Sequence, residues 1–454
     1  MPYATTDPMT GEVVKTFDSH TDEEVEQRLA RAAETFAAYR WTSFGERSRL
    51  MVTAAELLEA EQPDVARVLT AEMGKTFAAA KGEVAKCAMA MRWFAERAED
   101  LLADEQVATK AKASWVHYQP LGPVLAVMPW NFPMWQVVRF AAPALMAGNV
   151  GLLKHASNVP QTALLLEDLF RRAGFPEGAF TTLLVESGRI AKVIADPRVA
   201  AVTLTGSEAA GRSVAAAAGQ ALKKCVLELG GSDPFLILAS ADLERAVPTA
   251  AQARVQNNGQ SCIAAKRFIV VDAVGDEFVE RFTEAMAGLA VGDPFDPATD
   301  VGPLNSAAQR EEVTSQVDDA KAKGVVVHCG GEVPDGPGWY YPPTVVSGVT
   351  PEMRIATEEV FGPVAIVERV ADLDGAIKVA NDTVFGLGSS VWTEDDDEAR
   401  RCIEEIEAGA VFVNAMVAST PEMPFGGIKL SGYGRELSEL GIKEFCNAKT
   451  VWIA

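Results

Sequence analysis

Apolar positions change rhythm near residue 124, and the two rhythms predict different kinds of structure. Over the first hundred residues they recur every three or four positions, as in Val25, Leu29, Ala32 and Phe36, which is the spacing of one helix face. Thr21 with Glu24 three residues on reads as a capping box that starts this helix, and similar patterns cover Leu50–Leu58 and Ala85–Leu102. From Val124 onward, short apolar runs alternate with helical stretches. Val124–Met128 reads as a strand followed by a proline-rich turn and a helix-like stretch to Met146; Val150–Leu153 precedes a helix over Pro160–Ala173. Further strands are expected at Phe180–Leu184, Ala200–Thr205 and Val226–Leu229, with helical stretches near Ile190 and over Ala209–Gly219. A second alternating series runs through Phe235–Leu238, Arg267–Val271, Val325–His328, Ala365–Val370 and Val411–Asn414. Strands that alternate with helices form parallel sheets under helical cover, so two α/β domains are expected, with a boundary near residue 230.

Open parallel sheets bind ligands beyond the carboxyl ends of their strands, which directs attention to the loops at 129–133, 154–158 and 206–211. The uncharged stretch from Tyr118 to Val138 is long enough to span a bilayer, but Pro120, Pro123, Pro129 and Pro133 interrupt it and Asn131 and Gln136 would lie in hydrocarbon. It reads as buried protein interior. The chain has 454 residues, 48% of them hydrophobic, and a net charge of −22. That is enough apolar material for a large core, and the charge repels phosphate backbones and anionic lipid, so neither nucleic acid nor a membrane is expected as a partner. Six cysteines and four histidines are dispersed, without the spacing of a disulfide scaffold or a metal site, so no metal is expected. The N-terminal residues have no basic stretch followed by an apolar one, and a cytoplasmic location is expected.

Four short segments could carry chemistry. A free cysteine is ordinarily a small buried hydrophobe, but Cys262 follows Asn257-Asn258-Gly259-Gln260-Ser261, a polar run that predicts a turn where a thiol could act as a nucleophile. Glu228 ends an apolar strand and precedes Gly230 and Gly231. It reads either as a solvated strand-end carboxylate or as a general base raised in pKa by burial. Pro129-Trp130-Asn131-Phe132-Pro133 is either a turn with core aromatics or a loop that presents the Asn131 amide as an oxyanion donor. Thr205-Gly206-Ser207 suits phosphate approach at a helix start, though Gly-Ser pairs cap many helices.

The order of these segments resembles the aldehyde dehydrogenase superfamily. The likeness runs from Asp7-Pro8-x-Thr10-Gly11-Glu12 through the segments above to Glu359-x-Phe361-Gly362-Pro363 and Pro424-Phe425-Gly426-Gly427-x-Lys429, with Glu228 standing 34 positions before Cys262 as in that family. The resemblance implies a Rossmann-like cofactor domain (1–102 and 119–230), an α/β catalytic domain (231–430) and a β oligomerisation arm (103–118 and 431–454). It implies Cys262 as nucleophile, Asn131 with the Cys262 N–H as oxyanion donors, and Glu228 as the base that activates water. Trp130, Lys154, Ser157, Gly206, Ser207, Leu229, Glu359 and Phe361 become expected cofactor contacts. NAD-preferring members often carry Glu where this chain has Ser157, so NADP is the expected cofactor, with NAD accepted.

Lys154–Pro160 and Lys223–Glu228 are most similar to bacterial succinate-semialdehyde dehydrogenases. Arg139, eight residues after Asn131, matches a carboxylate-binding arginine of such enzymes, and Ser419 or Thr420 is expected to complete the anion site. Gln256 departs from relatives that carry a second arginine, and Ala264 replaces a second cysteine. Oxidation of another aliphatic or aromatic aldehyde is the alternative; a CoA-acylating dehydrogenase, a thiol hydrolase without nicotinamide and a noncatalytic role fit the residues less well. The strand-like segments Ser114–Gln119 and Lys449–Ile453 are expected to join subunits edge to edge into a homodimer or homotetramer.

Overall fold

A computed structural model describes residues 3–454. The helical N-terminal region comprises Asp22–Tyr39, Phe44–Ala60, Gln62–Met73 and Phe77–Leu101. The expected capping box is present: the Thr21 hydroxyl accepts from the Glu24 N–H, and the Glu24 carboxylate accepts from the Thr21 N–H at 2.7 Å. The helix Gln62–Met73 has a polar opening turn with Pro63 inside it and gave no periodic signal of its own.

One sheet has the order Gly432–Tyr433, Lys224–Glu228, Ala201–Thr205, Pro123–Met128, Val150–His155, Phe180–Thr182. All its strands but the first run parallel. The chain winds from Pro123–Met128 outward in one direction, then returns to build the other half from Ala201–Thr205. The strand order therefore reverses between those two neighbours, and their carboxyl ends open a crevice. The loops that begin with Pro129 and Gly206 flank it. The second sheet has the order Val326–Cys329, Thr344–Ser347, Val364–Val370, Ala265–Val271, Asp233–Ile237, Ser389–Trp392, Val411–Val413, again mostly parallel. The architecture is α/β, as expected. Thr344–Ser347 and Ser389–Trp392 had no clear sequence signal because short Ser- and Thr-bearing runs lack an apolar pattern.

The uncharged stretch is interior, as expected: Pro123–Met128 is largely buried and every residue of the helix Trp135–Met146 is buried. Among the described residues no helix is long and apolar enough to cross a membrane. The two segments expected to join subunits edge to edge pair with each other within the chain. Cys446–Ile453 lies antiparallel to Ala113–Pro120, with Lys449 opposite His117, and Glu105–Gln106 adds a third strand. Gly432–Tyr433, which falls in the range expected for the arm, belongs to the first sheet through Leu227 and Glu228.

Glu72 ties the N-terminal hairpin (Tyr3–Thr6 with Val13–Phe17) to the body. Its buried carboxylate accepts from the Thr5 hydroxyl, the Gln161 and Thr162 N–H groups and the Thr162 hydroxyl, and so satisfies the first turn of the helix Pro160–Arg172. Glu72→Ala leaves these donors without partners. The expected loss is about 3 kcal/mol, measured as a lower urea midpoint with unchanged slope.

Candidate active site

The crevice narrows to a cavity of about 360 Å³ whose wall includes Trp130, Asn131, Gln136, Gly206, Ser207, Leu229, Cys262, Glu359 and Phe361. Eight expected site residues thus meet in one place. Cys262 lies on the expected turn, just after a short 3₁₀ segment (Gln256–Gly259) and before the strand Ala265–Val271. Asn257, Asn258 and Gly259 all have positive φ, and a Cβ on Gly259 would come within 2.4 Å of the Gly362 carbonyl carbon, so only glycine fits there. The turn is held by side chains that sequence reasoning passed over. Asn257 donates to the Asn131 carbonyl at 2.8 Å and the Gln260 carbonyl at 3.0 Å, and Lys266 donates to the carbonyls of Ser261 and Cys262 while pairing with Glu359 at 3.1 Å.

Asn131 is oriented from both sides. Gln136 donates to its amide oxygen, which leaves its amide nitrogen to donate to the Gln260 carbonyl, two residues before Cys262. The loop itself is fixed by two buried groups. His155 accepts the Ala156 N–H on Nδ1, so its Nε2–H donates to the Pro133 carbonyl at 2.7 Å; burial pulls its pKa down to about 4 and keeps it neutral. Glu83 accepts the N–H groups of Met134 and Trp135, each at 2.9 Å, and forms an ion pair with the buried Lys75. These roles depend on long-range contacts, so sequence spacing carried no sign of them.

Burial shifts both Cys262 and Glu228. Cys262 keeps some access to the cavity, yet dense surroundings push its thiol up to about 12 against the pull of Arg139 and Lys266, because desolvation outweighs the neighbouring cations. Burial, reinforced by the nearby Glu436, raises Glu228 well above the usual carboxyl range. Glu228 is not a solvated strand end: it is 2% exposed and neither carboxyl oxygen has a hydrogen-bond partner. It lies against the backbone of Gly426 rather than in the cavity wall, since a Cβ on Gly426 would sit 2.7 Å from its Oε1.

The Arg139 guanidinium is buried, ion-paired with Glu436, within 3.3 Å of the Thr205 hydroxyl and 4.5 Å over the Phe425 ring. It stands outside the wall of this cavity, close enough for its charge to act on the Cys262 thiol. Ser419 is buried beside Trp135, and Thr420 is half-buried one residue on. Gln256 makes long contacts to the carbonyls of Ala253 and Ile263.

The crevice suits a dinucleotide. Lys154, next to last in the strand Val150–His155, is a buried residue whose ammonium makes no ion pair or hydrogen bond among the described residues, and burial lowers its pKa. Half-buried Ser157 follows in the next turn. Ser207 caps the helix Glu208–Gln220, whose N–H groups face the crevice, and the Trp130 and Phe361 rings stand edge to face 5.7 Å apart across the opening. The sequence matches the aldehyde dehydrogenase family model over residues 1–451. The chain belongs to the aldehyde dehydrogenase family. It is 61% identical over 457 aligned positions, covering all of both chains, to succinate-semialdehyde dehydrogenase (NADP+) 1 of Mycobacterium bovis (strain BCG / Pasteur 1173P2). Identity is 60% to succinate-semialdehyde dehydrogenase (NADP+) of Mycobacterium avium (strain 104), over all of this chain and 97% of that one. Among solved structures, succinic semialdehyde dehydrogenase from Streptococcus pyogenes in complex with NADP+ superposes with a TM-score of 0.97 at 40% identity, over 99% of each chain.

The raised Cys262 thiol makes a direct prediction for the free aldehyde dehydrogenase. Its carbamidomethylation rate, followed on the Cys262 peptide by mass spectrometry, rises about tenfold per pH unit from pH 7 to 9 without a plateau, because the thiolate is the reacting form.

Proposed function

We propose that this protein oxidises succinic semialdehyde to succinate with NADP, accepting NAD less well. The observation that carries this reading is the end-to-end identity of 61% to an NADP-dependent succinate-semialdehyde dehydrogenase, on a chain whose cavity joins Cys262 to Asn131. Cys262, as the thiolate, adds to the aldehyde carbon. The Asn131 amide and the Cys262 N–H stabilise the resulting oxyanion. NADP, when bound, would supply the hydride acceptor that turns this adduct into a thioester on Cys262. Water then cleaves the thioester, releasing the acid and the thiol.

Glu228 is assigned the proton transfers of hydrolysis. Among the described residues its carboxyl oxygens have no hydrogen-bond partner, and burial shifts its pKa upward, the direction that makes a carboxylate a stronger base. Lys154 and Ser157 are assigned to the adenosine ribose and its 2′-phosphate, Gly206 and Ser207 to the pyrophosphate, Glu359 to the nicotinamide ribose, and Trp130, Leu229 and Phe361 to the cofactor's flanks. Ser157 carries no charge against a 2′-phosphate. The range 1–102 with 119–230 is assigned to the cofactor domain, apart from the returning strand Gly432–Tyr433; 231–430 forms the catalytic domain. The arm is assigned to residues 103–118 with 446–453, a sheet whose outer strand exposes Trp452 and Ile453 and offers a second copy an edge. Its free thiols suit a reducing cytoplasm. The burial of Arg139 favours a second reading, in which an uncharged aldehyde is the substrate.

Steady-state kinetics with succinic semialdehyde and butanal, each with NADP and NAD, test the reading: the highest kcat/KM belongs to succinic semialdehyde with NADP, and equal values for the two aldehydes overturn it. Glu228→Gln retains a stoichiometric burst of reduced cofactor while steady turnover falls by about 10²-fold or more, seen by stopped-flow absorbance. Ser157→Glu lowers kcat/KM for NADP by about tenfold or more and leaves that for NAD little changed, because the new carboxylate repels the 2′-phosphate.

A further inference from the structure

Lys266 is fully buried, and each of its three ammonium protons is used. It donates to the Ser261 carbonyl at 3.0 Å and the Cys262 carbonyl at 2.7 Å, and it pairs with Glu359 Oε1 at 3.1 Å. Two of these acceptors belong to the nucleophile's turn and the third to the crevice. Glu359 Oε1 also accepts the Gly231 N–H at 3.2 Å. Its Oε2 makes no hydrogen bond among the described residues and lies against Gly230, where a Cβ would come within 2.5 Å of it. Glu359 and Gly230 both line the Cys262 cavity. The carboxylate thus holds Lys266 with one oxygen and keeps the other for a ligand.

After burial, four charges act on the Cys262 thiol: Arg139 and Lys266 draw its pKa down, and Glu359 and Asp233 push it up. Three of the four are out of a ligand's reach. Arg139 is paired with Glu436 outside the cavity wall, Asp233 is buried with one oxygen on the Gly388 N–H at 3.1 Å, and Lys266 is enclosed by its own acceptors. Of these groups only Glu359 stands in the wall, so a ligand reaches the field at the thiol through this carboxylate. Hydroxyl groups that donate to Glu359 take up part of its negative charge. Lys266 is then less offset on the side that faces the turn it holds.

We propose that Lys266 is a positioning residue that couples the cofactor crevice to the nucleophile: a ribose diol bound at Glu359 turns the ammonium's charge toward the Cys262 turn and activates the thiol, an assignment that rests on Glu359 taking the nicotinamide ribose. Activation then follows from the ribose and does not need the nicotinamide ring. An uncharged donor at position 266 holds the same carbonyls without carrying this signal, so the coupling is a property of the lysine's charge.

The test measures carbamidomethylation of Cys262 from pH 7 to 9 with no ligand, with 2′-phospho-ADP-ribose, which carries the ribose but no nicotinamide, and with 2′,5′-ADP, which carries neither. Tryptophan fluorescence titrations establish that each probe is bound. In wild type, 2′-phospho-ADP-ribose is expected to raise the rate at pH 7 by about tenfold, a shift of the pH profile by about one unit, and 2′,5′-ADP leaves it unchanged. Lys266→Gln binds both probes and gains less than about twofold from either, because the neutral amide has no charge to redirect. Glu359→Gln reacts faster than wild type without a ligand, by about threefold or more, and gains little from either probe. A rise that persists in Lys266→Gln, an equal rise with 2′,5′-ADP, or no rise in a wild type that binds 2′-phospho-ADP-ribose overturns the coupling and leaves the cofactor assignment standing. If Lys266→Gln does not bind 2′,5′-ADP, Glu359→Gln decides, and a rate equal to or below that of wild type overturns the coupling. If wild type binds 2′-phospho-ADP-ribose no more tightly than 2′,5′-ADP, the ribose assignment of Glu359 falls and the coupling with it.

Discussion

Two amide side chains join the halves of this molecule at the point where chemistry occurs. Asn257 donates from the cysteine turn to the Asn131 carbonyl, and Asn131 donates back to Gln260. One loop ends a strand of the first sheet and the other enters a strand of the second, so this exchange sets the distance between the Cys262 turn and the Asn131 loop. Its supports are buried and specific: Gln136 sets the Asn131 amide, Lys266 holds the carbonyls of Ser261 and Cys262, and His155 and Glu83 hold the loop from below. Hydrogen bonds of this kind are individually modest in net stability, but a buried partner left unpaired is costly, which makes the arrangement hard to deform.

Dense packing also decides the protonation of the site. Desolvation raises the Cys262 thiol and the Glu228 carboxyl group together. A thiol held up in this way is slow to oxidise or alkylate. It also places the burden of activation on whatever enters the crevice and changes the local field. The two cations nearest the thiol are already engaged, Arg139 by Glu436 and Lys266 by Glu359, and their fields only partly offset burial.

The same contrast between engaged and free charge separates scaffold from binding surface. Arg139 is balanced inside the protein, whereas Lys154 and Lys86 reach their positions without a carboxylate partner. On a strongly acidic chain, cations left without partners are where anionic ligands gain most.

Much of this was determined by the sequence alone. Alternating apolar runs specified two parallel sheets because a buried strand and its covering helix each need their own hydrophobic period, and the capping box at Thr21 is a local event complete within four residues. The turn at Cys262 was legible for the same reason, since Asn-Asn-Gly tolerates the left-handed backbone it requires. What tertiary structure decided depends on partners far apart in the chain. Arg139 looked available because nothing nearby in sequence opposes it, yet Glu436 lies almost three hundred residues away. The same holds for the bond between Lys86 and Ser419, for the pairing of Cys446–Ile453 with Ala113–Pro120, and for the burial that raises the Glu228 pKa. Local pattern sets where the chain bends and which face it buries; which charge meets which, and how much water reaches them, is set only when distant segments close on one another.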